Sequence, residues 1–90
     1  MNKVTYHYKC IKSGKTYCIE CKDFLLATET KIKANIKAMA KEATELTLES
    51  NIELNMPIPK PNNKVKNYDF TLTFDTTTGL CLDKINHAKI

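Results

Sequence analysis

Between Thr28 and Pro61 the chain reads TETKIKANIKAMAKEATELTLESNIELNMPIPKP, an amphipathic helix that runs directly into a proline-spaced exit. Apolar side chains fall at Ile32, Ile36, Met39, Ala43 and Leu46, in steps of four, three, four and three, which gathers them on one stripe. The pattern predicts a helix over 30–49, reaching 54 at most, with Thr28 or Thr30 as its cap. It cannot continue past Met56, because Pro57, Pro59 and Pro61 each remove a backbone donor and push the preceding residue into extended geometry. Its charges oppose the macrodipole, with Lys31, Lys33 and Lys37 early and Glu42, Glu45 and Glu49 late. Each misplaced exposed charge costs about 0.3–1 kcal/mol, less than burial of the stripe at ~25 cal/mol per Å² returns. The helix therefore depends on a sheet beneath it, and something other than helix stability shapes its exposed face.

The flanking segments supply that sheet. Val4, Tyr6, Tyr8 and Cys10 alternate with Lys3, Thr5, His7 and Lys9, a half-buried strand over residues 3–11. Ser13-Gly14 makes a turn, and residues 16–22 return with Tyr17, Ile19 and Cys21 on the same buried side. Phe24 to Ala27 reads as a short third strand. After the prolines, Tyr68, Phe70, Leu72 and Phe74 alternate with Asp69, Thr71, Thr73 and Asp75. A turn follows at 75–79, and Leu80 and Leu82 suggest a last short strand before the tail. The order β-β-(β)-α-β-(β) describes one α+β domain over residues 1–90: an antiparallel sheet of three to five strands with one long helix on one face. The second sheet face must be solvated or covered by a partner.

Ninety residues bury roughly 60–65% of the unfolded surface, so a partner surface would add usefully to a modest stability. No apolar run approaches the ~20 residues needed to span a bilayer, and residues 1–10 alternate instead of forming a signal core, which makes the cytoplasm the default compartment. All 14 basic residues are Lys, and without the guanidinium fork of Arg a sequence-specific DNA reader is disfavoured. Residues 1–41 carry nine Lys against three acids (+6), and residues 42–90 carry five against seven (−2). One end of the domain is thus electropositive and the other mildly acidic.

Cys18-x-x-Cys21 invites a metal reading, with Cys10, Cys81, His7 and His87 as further ligands. Zinc needs thiolates converging on one centre, whereas two residues three apart on a strand project to opposite faces, so no metal is expected. Core or surface roles suit these cysteines better, and a disulfide framework is not expected without a secretory signal. No catalytic constellation accompanies His7 or His87, and there is no Gly-rich phosphate loop, so neither a catalytic residue nor a cofactor is assigned. Tyr6, Tyr8 and Tyr17 could stack on single-stranded nucleic acid, but their register with Val4 and Ile19 favours core packing.

In layout the chain resembles the HicB-like antitoxins, in their small N-terminal domain. The resemblance covers about residues 3–62. It rests on Ser13-Gly14, Tyr17-Cys18-Ile19, Asp23-Phe24, a helix capped at Thr30 with Ala34, Ala38 and Ala43, then Leu46-Thr47-Leu48-Glu49 and Met56-Pro57-Ile58-Pro59-Lys60-Pro61. The family's Pro-Asp-Leu-Pro-Gly-like segment stands here as Lys22-Asp23-Phe24-Leu25-Leu26, without Pro or Gly. Residues 67–90 read as a strand hairpin and tail where many members carry a DNA-binding module. The resemblance implies a degenerate RNase-H-like sheet without nuclease activity, a homodimer, and a role in masking a small toxin ribonuclease or a repurposed partner such as a defence component. The expected contacts are the helix face (Lys33, Lys37, Glu42, Glu45, Glu49) and the post-proline strand (Tyr68, Phe70, Asp75). The alternative is nucleic-acid binding through the Lys-rich hairpin and early helix.

Overall fold

A computed structural model describes residues 2–85. The period of two in the first segment becomes β1 (Lys3–Ser13), which turns at Gly14-Lys15 into β2 (Thr16–Cys21). Gly14 has a φ of 62°, the left-handed conformation that a two-residue hairpin loop of this kind demands at its first position. β3 (Ala27–Thr30), α1 (Ile36–Glu53) and β4 (Phe70–Asp75) follow, with a 3₁₀ turn at Lys33–Asn35 ahead of α1. The sheet order is β3-β2-β1-β4, every neighbouring pair is antiparallel, and α1 packs on one face. This is the α+β architecture expected from the sequence.

Register decides which residues meet under the helix. Val4 lies opposite Phe74, Tyr6 opposite Leu72, Tyr8 opposite both Cys21 and Phe70, and Cys10 opposite Ile19. That face carries the core: Tyr6, Tyr8, Ile19 and Phe74 are wholly excluded from solvent. Tyr8 stacks on Phe70 at 5.2 Å, and Tyr6 meets the edge of Phe24 at 4.8 Å. Tyr6 and Tyr8 are therefore core residues, while Tyr17 is only half-buried, with the Lys12 ammonium 5.7 Å from its ring centroid.

Each buried tyrosine needs a partner for its hydroxyl. Tyr8 finds Thr44 of α1 at 2.6 Å, and Tyr6 donates to the Pro59 carbonyl at 2.6 Å. These two bonds tie the helix and the proline segment to the middle strand. They also correct the expected stripe. The residues of α1 that face the sheet are Ile36, Ala40, Thr44 and Leu48, four apart, with Met39 beside them. Leu46 is 69% exposed. Ile36 and Met39 of the expected stripe do reach the core, but a count of apolar positions alone passes over Thr44, whose hydroxyl is the group that Tyr8 requires, and so includes Leu46 in its place.

The helix start also differs from expectation. Thr28 and Thr30 belong to β3, and the Thr30 hydroxyl accepts the Ile32 amide at 3.1 Å in a local turn, so α1 begins at Ile36 without a side-chain cap. β3 lies three residues later than Phe24–Ala27. Phe24 and Leu26 pack on the core from a loop, Leu25 is fully exposed, and pairing starts at Ala27.

The C-terminal end of α1 follows its sequence closely. Asn55 takes a φ of 55°, its amide bonds to the Ile52 carbonyl, and the Met56 amide bonds to the Asn51 carbonyl. This is the double closure that ends helices with a left-handed residue. Asparagine tolerates that conformation less well than glycine, so Asn55→Gly should raise stability by roughly 0.5–1 kcal/mol, read as a higher urea midpoint at unchanged slope. Pro57 to Pro61 then carry the chain back past Tyr6, with Ile58 on the core, to the end of the sheet where α1 began. That return is what lets β4 run antiparallel to β1.

Beyond β4, the Asp75 carboxylate accepts the Thr77 and Thr78 amides at 2.7 and 3.2 Å and shapes the turn. Gly79, at a φ of 81°, brings this turn against α1: a Cβ there would sit 3.2 Å from both the Glu49 nitrogen and the Leu48 Cβ. The last expected strand is reduced to one bridge, Phe74 to Cys81. No helix among the described residues is long and apolar enough to cross a membrane.

Candidate functional site

The expected contact residues separate into two hollows on one flank of α1, with two outliers. Lys33 and Lys37, near the start of the helix, line a groove of about 450 Å³ together with Cys10, Phe70, Lys84 and Ile85. The Lys37 ammonium lies 5.9 Å from the Phe70 ring centroid. The one acid in the lining, Asp69, accepts the Cys10 amide at 2.7 Å and has Lys9 at 3.8 Å, so its charge is already engaged. The groove therefore presents three ammonium groups around an apolar floor.

Further along the same flank, Glu42, Glu45 and Glu49 surround Leu46 and Leu80 in a hollow of about 300 Å³. Leu46 and Leu80 are both more than half exposed. Glu45 is partly structural: it accepts the Cys81 amide at 2.8 Å and pairs with Lys41 at 3.3 Å. The unequal charge of the two chain halves thus becomes a basic and an acidic end of one surface.

Tyr68 and Asp75 lie elsewhere. β4 starts only at Phe70, and Tyr68 turns to the opposite face of the sheet, where its ring meets His7 at 4.7 Å. Asp75 serves its turn. Lys84, Ile85 and Leu80 were not foreseen as contact residues. They reach the helix through the bridge at Cys81, and no local sequence pattern marks that.

A second polar cluster sits at the open face of the sheet. The Asp23 side chain has no solvent exposure. It accepts the His7 and Asn62 backbone amides, and the His7 ring nitrogen Nδ1 lies 3.1 Å from one of its oxygens. The Cys21 thiol is 3.8 Å away. The carboxylate takes the place of a strand carbonyl at the point where β2 leaves β1, just as Asp69 does where β4 joins it and Asp83 does for the Thr73 amide. These acids extend the ladder.

Cys18 and Cys21 project to opposite sides of β2: Cys21 is buried, and Cys18 is exposed opposite Ile11. Burial pushes the thiols of Cys10, Cys21 and Cys81 above the usual cysteine range, which keeps them protonated and poorly nucleophilic near neutral pH. Among the described residues no three His, Cys, Asp or Glu side chains are placed to hold a metal ion, and His87 lies outside the described residues. Comparison with protein-family models, with curated proteins and with solved structures finds no match to this chain.

Proposed function

We propose that the chain is a cytoplasmic, non-enzymatic protein-binding inhibitor of the antitoxin type, which works by covering part of another protein. The observation that carries this reading is the α1 flank, where apolar hollows are rimmed by lysines at one end and glutamates at the other. Protein interfaces combine an apolar centre with a charged rim of complementary sign, and a surface of both signs selects a partner that has both. The polar groups that could suggest chemistry have other occupations: Asp23, Asp69 and Asp83 accept backbone amides. The resemblance to HicB-like antitoxins points the same way, toward a small toxin ribonuclease or a defence component as the target.

Nucleic-acid binding is the competing reading, supported by the three lysines about the Phe70 groove. Against it stand the burial of Tyr6 and Tyr8, which removes the stacking platforms, and the glutamates on the same flank, which repel phosphate. A salt titration with RNA and DNA oligonucleotides tests the choice. The expected result is no retention at physiological salt, together with stoichiometric suppression of the target ribonuclease. Nucleic-acid affinity that falls steeply with salt, about one logarithmic unit of slope per phosphate contact, would overturn the protein-binding reading.

A further inference from the structure

The two edges of the sheet are finished differently. Beyond β4, the Asp75 amide bonds to the Leu80 carbonyl, the Leu82 amide bonds to the Thr73 carbonyl, and the Asp83 carboxylate accepts the Thr73 amide. That edge is closed from Thr73 to Asp75. β3 forms the opposite edge. The bond from the Cys21 amide to the Leu26 carbonyl fixes the phase of the ladder, so the backbone groups of Thr28 and Thr30 face β2. The amides and carbonyls of Ala27 and Glu29 point outward, and among the described residues nothing bonds to them. β3 also contains neither proline nor lysine, residues that blunt an exposed edge.

Beside this edge, on the sheet face away from α1, Ile11, Cys18, Glu20, Ala27 and Glu29 line a hollow of about 330 Å³. Ile11 is 53% exposed and lies opposite Cys18. Ala27 carries only a methyl, so a large side chain on an added strand can lean over it into the hollow. Glu29 is exposed and has no ion-pair partner among the described residues, whereas Glu20 is held by Lys22 at 3.3 Å. Leu25, just before the strand, is fully exposed. Open backbone groups, an apolar hollow and one unpaired carboxylate thus meet at a single edge.

We propose that the β3 edge takes an extended segment of a partner protein as a fifth, antiparallel strand, with a base opposite Glu29 and, two residues later, a large apolar side chain opposite Ala27. Backbone bonds supply the attachment, and the alternate side chains supply the selectivity. An antiparallel addition continues the pairing of every other neighbour in the sheet. A second copy of β3 does not meet the demand, because its four residues include no base to set opposite Glu29. The site is separate from the α1 flank and independent of what that flank covers.

The peptide Thr-Lys-Thr-Phe-Thr, blocked at both ends and labelled through a linker, tests this by fluorescence polarisation with the full chain. Its ladder is short, so the expected Kd is about 100 μM. Antiparallel addition sets its lysine opposite Glu29 and its phenylalanine opposite Ala27, with both of their amides facing β3. N-methylation of the phenylalanine amide should weaken binding at least about 10-fold, whereas N-methylation of the threonine amide between them, which faces away, should change it less than about two-fold. These two peptides leave the protein unaltered, so a folding defect cannot mimic the result. Glu29→Lys, with folding checked by circular dichroism, should weaken the parent peptide about 10-fold, and a peptide with glutamate in place of its lysine should bind that variant at about the original strength. No binding at about 1 mM peptide, equal effects of the two N-methylations, or an affinity indifferent to Glu29→Lys would each overturn the proposal.

Discussion

Replacing Asp23 with alanine should cost about 3–5 kcal/mol, the largest loss expected from any single polar substitution in this chain. The side chain is completely buried and accepts two backbone amides from segments distant in sequence, at His7 and Asn62, besides facing the His7 ring. Alanine would strand the part-buried His7 amide, leave the exposed Asn62 amide to water and free the post-proline segment from the sheet. A domain of this size has a total stability of roughly 5–13 kcal/mol, so the variant should lie near the edge of folding. Its thermal midpoint, followed by far-ultraviolet circular dichroism, should fall by about 15–30 °C. Asp23→Asn keeps one acceptor oxygen and should lose about half as much. A midpoint for Asp23→Ala within about 3 °C of wild type would show that the carboxylate is not the junction described here.

Alkali should unfold the protein for a reason equally specific to this core. Burial raises the ionisation of Tyr6 and Tyr8 well above the ordinary tyrosine value of about 10, and for Tyr8 the Thr44 hydroxyl offsets that only in part. A group raised on folding contributes stability that is fully present below its unfolded value and is lost as pH climbs toward its folded value. Each tyrosine should therefore remove about 1.4 kcal/mol per pH unit above pH 10, or about 2.7 kcal/mol for the two together. Cys21, raised by the same burial, begins to contribute at slightly lower pH. Denaturant unfolding measured from neutral pH upward should show a stable plateau, then a steep decline past pH 10. Phenolate absorbance from Tyr6 and Tyr8 should appear together with loss of the far-ultraviolet signal. Tyr8→Phe should be less stable near neutrality by about 1–2 kcal/mol, because Thr44 loses its partner, yet decline less steeply in alkali. Phenolate absorbance that develops fully while the fold persists would contradict this account of the core.

Much of the sheet was legible in the chain because strands advertise themselves by alternation. Val4, Tyr6 and Tyr8 in β1, Ile19 and Cys21 in β2, and Leu72 and Phe74 in β4 are all buried as their period of two requires. The end of α1 was legible for a different reason. Prolines forbid continuation on covalent grounds, and the closing bonds at Asn55 and Met56 fall just ahead of Pro57. What misled was hydrophobicity used alone. Leu46 counted as buried and is exposed, whereas Thr44, outside the apolar pattern, is wholly buried in the packing. Phe24 and Leu26 looked like a strand because they are apolar, but they reach the core from a loop held by Asp23 and by the bond between the Cys21 amide and the Leu26 carbonyl.

The candidate site divides along the same line. Lys33 and Lys37 at one end, and Glu42, Glu45 and Glu49 at the other, stand out because the helix puts neighbouring turns on one surface. Their apolar companions Leu80 and Ile85, and the third groove lysine Lys84, come from a segment some thirty residues beyond the end of α1. The displacement of Tyr68 to the opposite face beside His7 depends on the chain bending at Asp69, whose carboxylate takes the Cys10 amide before β4 begins. By itself, then, the sequence determined the element types, the strand faces and the place where the helix stops, because these follow from local periodicity and covalent restriction. Only the tertiary structure decided which side of the helix turns inward and which distant residues complete each hollow. Those outcomes depend on hydroxyls, amides and carboxylates finding partners far along the chain, and no local pattern records where such partners will lie.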